Sequence, residues 1–228
     1  MYVYTDIEQG SQEWHNLRSW RATASEFDKI ITPAKGELSK SALSYMRSLA
    51  RKYCITDPKD AVDQEKLDKN WSIQWGKQYE PIARDWFRGH TGLNIVEVSF
   101  VVRGEDDLGP IGCSPDSMII DANGDYVAGL EIKCPCADTH VEYLLDAKLP
   151  NKYKLQVHGG MAVTGLDAWH FVSYFPKLKP LHIIIERDDY TEQLSDALDQ
   201  FAEAYAQEFD KVHALVEWVT AEQKGAGE

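Results

Sequence analysis

Asn123-Gly124 lies between two apolar segments, Ile111 to Asp121 and Tyr126 to Cys134. That dipeptide is the strongest short hairpin signal, because a tight primed turn needs positive φ at its central positions. A turn centred there pairs residues whose numbers sum to 247. Asp116 then stands directly opposite Glu131, on one face, with Cβ atoms about 5 Å apart. Lys133 lies two residues beyond Glu131 and points to the same face. Leu130 and Ile132 alternate with them, so the spacing predicts a Glu–Lys face set apart from a buried face.

Two carboxylates facing each other destabilise a hairpin unless something neutralises them. A divalent cation is the natural neutraliser, and oxygen-only ligands with open positions favour Mg²⁺ or Mn²⁺ over Zn²⁺. The pattern is Asp116, fourteen residues, then Glu131-Ile132-Lys133. By itself it is weak, because the same types form surface salt bridges on solvated strands. A salt-bridge pair, however, has no need of Asp and Glu opposite each other. Pro115 before the Asp and Pro135 after the Lys punctuate the two strands.

The rest of the chain reads as helices around strands. Ser11 to Trp20 is a short helix, and Thr23-x-x-Glu26 is a capping-box pattern that predicts a second from Ala24. A third runs from Ser39 to about Cys54, followed by a charged loop around Asp57 to Lys69. Trp71 to His90 carries Trp75, Tyr79, Ile82, Ala83, Trp86 and Phe87 at helical spacing, with Gly92 as a stop. Ile95 to Arg103 reads as a strand, 138–148 and 151–163 as helices, and Trp169 to Phe175 and Leu181 to Arg187 as strands. Residues 190–219 form an amphipathic helix whose stripe is Leu194, Leu198, Phe201, Tyr205, Phe209, Val212, Val216 and Val219. Trp14 and Trp75 read as core anchors. The order predicts one domain over residues 1–228, α/β or α+β, with a central mixed β-sheet flanked by helices.

Composition bounds the function. The chain has 228 residues, 43% of them apolar, and a net charge of −13. That balance argues against a simple basic DNA-coating protein. The charge is uneven: +2 over residues 1–56, −7 over 57–133, +1 over 134–180 and −9 over 181–228. No apolar run approaches the roughly 18 residues of a membrane span, and the N-terminus lacks a signal-peptide pattern. A cytoplasmic setting with no membrane partner is the expectation. Cys54, Cys113, Cys134 and Cys136 lack the spacing of a metal hairpin or an iron–sulfur cluster, and read as small buried thiols.

Ser114-Pro115-Asp116 followed by Glu131-x-Lys133 resembles the PD-(D/E)xK nuclease signature. More specifically, the chain resembles the phage lambda exonuclease family, which overlaps the YqaJ-like viral recombinases. The matching stretches are Glu8-Gln9-Gly10, Trp14-His15-x-Leu17-Arg18, Thr23-Ala24-Ser25-Glu26, Trp75-Gly76-Lys77-Gln78-Tyr79-Glu80, Cys113 to Asp116, Leu130 to Pro135, Gln156-Val157, Leu181-His182 and Glu186-Arg187-Asp188. The resemblance implies a restriction-endonuclease-like core. Asp116, Glu131 and the Ile132 carbonyl match the metal ligands, for one or two ions. Lys133 matches the lysine that positions and helps deprotonate water, and Glu80 and Gln156 line the same site. Arg18, Ser25 and Ser114, with helices in 11–54, match the pocket for a 5′-terminal phosphate. His158 stands where the family's best-known member has a second Gln, and the Thr32–Lys40 segment, which approaches DNA in the family, diverges.

The implied activity is a Mg²⁺-dependent, processive 5′→3′ exonuclease on double-stranded DNA. It would release 5′-mononucleotides and leave a 3′ single strand for recombination. A ring-shaped homotrimer and a phage single-strand annealing protein as partner are further implications. In such a ring an acidic exterior around a modestly basic channel would confine DNA to the channel. An Arg18 guanidinium binds phosphate bidentately, and Ser25 at a helix start adds N–H groups that attract anions. Lys133 beside two carboxylates tends to stay protonated, so a Lys133 base favours alkaline pH. The alternatives are an endonuclease of the same fold and a non-catalytic DNA-binding recombination module.

Overall fold

In the computed structural model, residues 1–32, 38–55, 57, 60 and 69–225 are described, with side chains through residue 216. The charged loop predicted around Asp57 to Lys69 and the middle of the Thr32–Lys40 segment lie largely outside them.

Two mixed sheets meet at the Ser-Pro-Asp segment. The first has the order β1 (Tyr2–Tyr4), β4 (Phe100–Val102), β5 (Ile111–Cys113) and β2 (Ala22–Thr23). The second has the order β3 (Asn94–Val96), β6 (Ser117–Ile120), β7 (Tyr126–Lys133), β8 (Ala168–Ser173) and β9 (Leu181–Glu186). Ile111 to Asp121, expected as one strand, is thus two strands in different sheets. Pro115 is the physical reason: it has no N–H to give to a ladder, so pairing stops and the chain crosses. Ile95 to Arg103 divides in the same way into β3 and β4. At that break the Ser99 N–H donates to the Tyr4 carbonyl and its hydroxyl accepts from the Ile7 N–H. The expected α+β class with mixed sheet flanked by helices holds, and its strands are shared between two sheets.

The hairpin register holds, by a route the sequence did not suggest. Ser117 faces Leu130, Met118 faces Gly129 and Ile119 faces Ala128, as a sum of 247 requires. The turn, however, closes one residue out of that register. The Asp121 N–H donates to the Asp125 carbonyl at 2.9 Å, and Gly124 alone is left-handed, at φ 90°. The Asp121 carboxylate accepts from the Asn123 and Asp125 N–H groups, which fixes this longer loop. Next to the turn Ile120 faces Tyr126, and a bulge between Ile119 and Ile120 restores the register.

Among the described residues, five helices and one 3-10 turn complete the packing up to β9. They are α1 (Gln12–Ser19), the 3-10 helix (Ala24–Lys29), α2 (Ala42–Cys54), α3 (Trp71–Thr91), α4 (Ala137–Asp146) and α5 (Asn151–Thr164). Asn70 caps α3 through the Ser72 and Ile73 N–H groups, and Gly92 ends it at φ 69°. The Thr23 capping box does not form: Thr23 makes no side-chain cap bond and the segment is only a six-residue 3-10 helix. Glu26 instead bonds Lys29 and the Tyr45 hydroxyl.

The last helix, α6 (Asp189–Gly225), packs its stripe against α2 and α5. Leu194, Leu198, Phe201 and Tyr205 are at most 5% exposed, and Phe209 and Val212 cover the edge of the same core. Val219 lies outside the described side chains. On the opposite side of the second sheet, Leu130, Ile132, Ile119 and Val172 pack against Ala83 and Phe87 of α3. No helix among the described residues is long and apolar enough to cross a membrane. Of the cysteines only Cys113 is buried; Cys136 is exposed at the start of α4, so the expectation of small buried thiols fails there.

Candidate active site

The crossing between sheets fixes the site. Ser114 follows the end of β5, Asp116 precedes β6, and Glu131 and Lys133 end β7. The Asp116 N–H donates to the Leu130 carbonyl at 3.0 Å, just beyond the last ladder pair, Ser117 with Leu130, and this holds Asp116 beside the end of β7. The Asp116 carboxylate accepts from the Ile132 N–H at 2.5 Å. Glu131 is 3% exposed, so β7 is covered on both faces and the solvated salt-bridge reading is excluded. Its Oε1 accepts from Gln156 Nε2 of α5 at 2.6 Å and is paired with the Lys133 ammonium.

A cavity of about 170 Å³ is lined by Arg18, Ser25, Ser114, Asp116, Glu131, Lys133 and Gln156, with Trp14 and Trp169 among its walls. Seven of the expected site side chains therefore meet in one space. Arg18 donates to the Ser114 hydroxyl at 2.5 Å, and its guanidinium lies 4.1 Å from the Trp14 ring centroid. Trp14 in turn donates to the Ser99 carbonyl, and Gln9 bridges the Val98 and Pro115 carbonyls. Trp14 is thus a half-buried support for Arg18 rather than a core anchor. Trp75 is half-buried too, stacked between Trp71, Tyr79 and Phe175. Ser25 keeps a hydroxyl at the cavity, 3.2 Å from the Thr23 hydroxyl. It has no α-helix start behind it, which removes the expected N-terminal anion site.

Glu80 approaches from α3 and does not line the cavity. Arg84 connects it: the guanidinium donates to Glu80 at 2.6 Å and to the Asp116 carbonyl at 3.1 Å, and pairs with Glu97 at 3.0 Å. Sequence reading missed Arg84, although its spacing of four from Glu80 on a helix was a usable signal. Arg84→Met leaves Glu80 and the Asp116 carbonyl without their donor. The expected loss in turnover is about 10- to 100-fold, as for residues that orient metal ligands. Arg84→Lys, which keeps one charged donor, should recover part of it; equal turnover in all three proteins would rule this role out.

His158 lies outside the cavity. It is 3% exposed, and its Nδ1 is 2.7 Å from the Thr191 hydroxyl and 3.3 Å from Asp188, so it ties α5 to the start of α6.

The electrostatics are those of a crowded acidic site. Burial pushes Glu131 up to about 7, with Asp116 adding to the rise and Lys133 opposing it. Burial and then the Asp116 charge bring Glu80 to about 7 against the pull of Arg84. Asp116 is raised by burial, opposed by Lys133, the Ile132 N–H and Arg84. Burial alone would lower Lys133, but the Glu131 and Asp116 carboxylates outweigh it and raise the ammonium. Raised carboxyls mean that the site lacks positive charge, a deficit that a hard cation fits. Among the described residues, no group of three or more His, Cys, Asp or Glu side chains converges to hold an ion. Asp116 and Glu131 are the two carboxylates that could hold an ion here, with backbone, water or phosphate oxygens to complete its shell.

The family model of the YqaJ-like viral recombinase domain matches residues 13–167. No curated protein matches the chain. Among solved structures, an alkaline exonuclease from Laribacter hongkongensis (LHK-Exo) is 25% identical, with 95% of this chain and 100% of that chain covered and a TM-score of 0.66. The same enzyme in complex with dAMP is 24% identical over the same shares, with a TM-score of 0.63. A phage-related exonuclease from Haemophilus somnus 129PT shares the fold at 20% identity, 88% and 98% coverage and a TM-score of 0.56. The matched span runs from the helix of Arg18 through the hairpin of Asp116 and Glu131 to the helix of Gln156. The chain therefore belongs to the family of YqaJ-like viral recombinase domains, built on the PD-(D/E)xK-like fold of the alkaline exonucleases.

Proposed function

We propose that this chain is a Mg²⁺-dependent 5′→3′ exonuclease that degrades one strand of double-stranded DNA from a phosphorylated end. Family and fold support a nuclease with a role in recombination. The polarity, the metal and processivity are the finer reading. One observation carries it: the Arg18–Ser114–Ser25 group and the Asp116–Glu131–Lys133 group share a single cavity. A cation flanked by hydroxyls is a receptor for a terminal phosphate. The carboxylate pair beside it attends to the next phosphodiester, so the pocket measures one nucleotide. An endonuclease would have no use for such a stop.

The residues divide the work. Arg18 and Ser114 hold the terminal phosphate and fix the register of the strand. The Ile132 N–H orients Asp116, and Gln156 orients Glu131, so the two carboxylates present their oxygens without rearrangement. When bound by Asp116 and Glu131, a divalent cation supplies Lewis acidity and lowers the pKa of the attacking water. Lys133 is an ammonium while it pairs with Glu131. It donates toward the water or the phosphate, and gains the character of a base only where the carboxylates' charge is otherwise cancelled. Glu80, held by Arg84, adds a third carboxylate at the edge.

The deciding experiment is gel analysis of linear duplex with and without a 5′ phosphate, in Mg²⁺ and in EDTA. Loss of 5′-phosphorylated strands in Mg²⁺ alone is expected, with Arg18→Ala reducing that preference and impairing processivity. Cutting of closed circular DNA would favour the endonuclease. The same reading carries a homotrimeric ring around the DNA and a single-strand annealing protein as partner, and light scattering tests the first.

Metal and proton compete for the same carboxylates, which gives a pH test. Glu131 and Glu80 titrate near 7 in the fold against an ordinary 4.5. Their burial therefore costs nothing below about pH 4.5 and costs stability increasingly as pH rises through 7. A bound cation relieves that cost. Mg²⁺ or Mn²⁺ should raise the melting temperature clearly at pH 8 and hardly at pH 5. A pH-independent shift would count against these ligands.

A further inference from the structure

At about 170 Å³ the cavity around Arg18 and Asp116 is smaller than the roughly 300 Å³ at which small-molecule pockets begin. That leaves room for the phosphate and sugar of a terminal nucleotide but not for its base as well. A second cavity of about 540 Å³ opens beside it, and the two share Ala24, Ser25 and Gln156. Beyond that common wall the larger cavity is bounded by Asp28 of the 3-10 helix, by Asn151, Lys152, Lys154 and Leu155 of α5, and by Tyr190 at the start of α6. The hydrolytic chemistry derived above makes no use of these six residues.

Their chemistry discriminates between ligands. Leu155 and the Tyr190 ring are apolar walls. Lys154 Nζ lies 3.9 Å from the Tyr190 centroid, so ammonium and ring present a combined surface. Asp28 adds a carboxylate to the same cavity. A pocket for backbone phosphate gains nothing from a carboxylate. A nucleobase suits the whole set: its face meets the ring and the apolar wall, its ring nitrogens and carbonyls accept from Lys154 and Asn151, and its exocyclic amine donates to Asp28. A jointed lysine and an amide that both donates and accepts serve any of the four bases, as an enzyme that strips a strand of any sequence requires.

We infer that the second cavity receives the base of the 5′-terminal nucleotide when its phosphate sits against Arg18 and Ser114. The inference rests on the exonuclease reading. It makes Asp28, Lys154 and Tyr190 determinants of substrate affinity, with the base entering across Ser25 and Gln156.

The test compares 2′-deoxyadenosine 5′-monophosphate with 2-deoxyribose 5-phosphate, which lacks the base, as ligands of the full chain by calorimetry. Linear-duplex digestion is run in parallel. Wild type should bind the nucleotide about tenfold more tightly than the sugar phosphate. The double variant Asp28→Asn/Lys154→Met changes two exposed positions, and its melting temperature checks folding. Its preference should fall to about twofold, with sugar-phosphate affinity unchanged. Tyr190→Ala should act in the same direction. A wild type that binds both ligands equally, or variants that keep the full preference, would overturn the base pocket while leaving the exonuclease reading intact. Binding of neither ligand, with linear duplex undigested, would overturn both.

Discussion

Asp116→Asn is expected to lower hydrolysis of linear duplex by roughly 10³-fold or more, while the metal-free protein becomes more stable than wild type. The two effects have one cause. Asn keeps the shape and the oxygen that accepts from the Ile132 N–H, so the junction between the sheets is preserved. It removes a negative charge that raises Glu80 and Glu131 and that is itself raised by burial. Like charges in a buried site are destabilising, so their removal stabilises, whereas the metal loses a ligand. Glu131→Gln should behave differently. It also stops hydrolysis, but it removes the ion-pair partner of the half-buried Lys133 ammonium, so it should destabilise the fold rather than stabilise it. Activity assays with melting curves in chelator separate the two variants. Mg²⁺-dependent hydrolysis surviving in Asp116→Asn would show that the site assignment is wrong.

How much of this was legible in the sequence depends on the range of the forces involved. The register of β6 on β7, which brings Asp116 near Glu131, came from turn chemistry and the two-residue period of strands, both local. Even so, the Asn123-Gly124 turn and the Ile119–Ile120 bulge are each displaced by one residue from the simple hairpin, in compensating senses. Helix ends with a side-chain cap or a left-handed Gly, at Ser11, Asn70 and Gly92, fell within a residue of expectation. The Thr23-x-x-Glu26 box failed because Glu26 found partners elsewhere, Lys29 nearby and Tyr45 on α2. Continuous β patterns at 95–103 and 111–121 concealed two sheet changes, since apolar alternation does not record which sheet a strand joins. Arg84 and Trp169 went unseen for a related reason: their partners come from several elements and exist only after folding.

Trp169 is the clearest such case, and it couples stability to the geometry of the site. Its ring is 1% exposed and packs between β7 and α5. A Cβ at Gly129 of β7 would lie 2.4 Å from that ring, and one at Gly160 of α5 would lie 2.6 Å from it. Both glycines are therefore required for space. The ring sets the distance between β7 and α5, and with it the 2.6 Å bond from Gln156 to Glu131. Gly160→Val forces the ring or the helix outward. Overpacking of this kind costs about 1–3 kcal/mol, or roughly 3–10 °C in melting temperature for a chain of this size. Because the movement falls on Gln156, turnover should drop together with stability. The control is Gly89→Ala on α3, where an added Cβ meets nothing within 4 Å. There the gain in helix propensity should stabilise by about 0.5–1 kcal/mol. Equal melting temperatures for Gly160→Val and wild type would mean that the Trp169 slot has room to give, and that the spacing of Gln156 and Glu131 is set elsewhere.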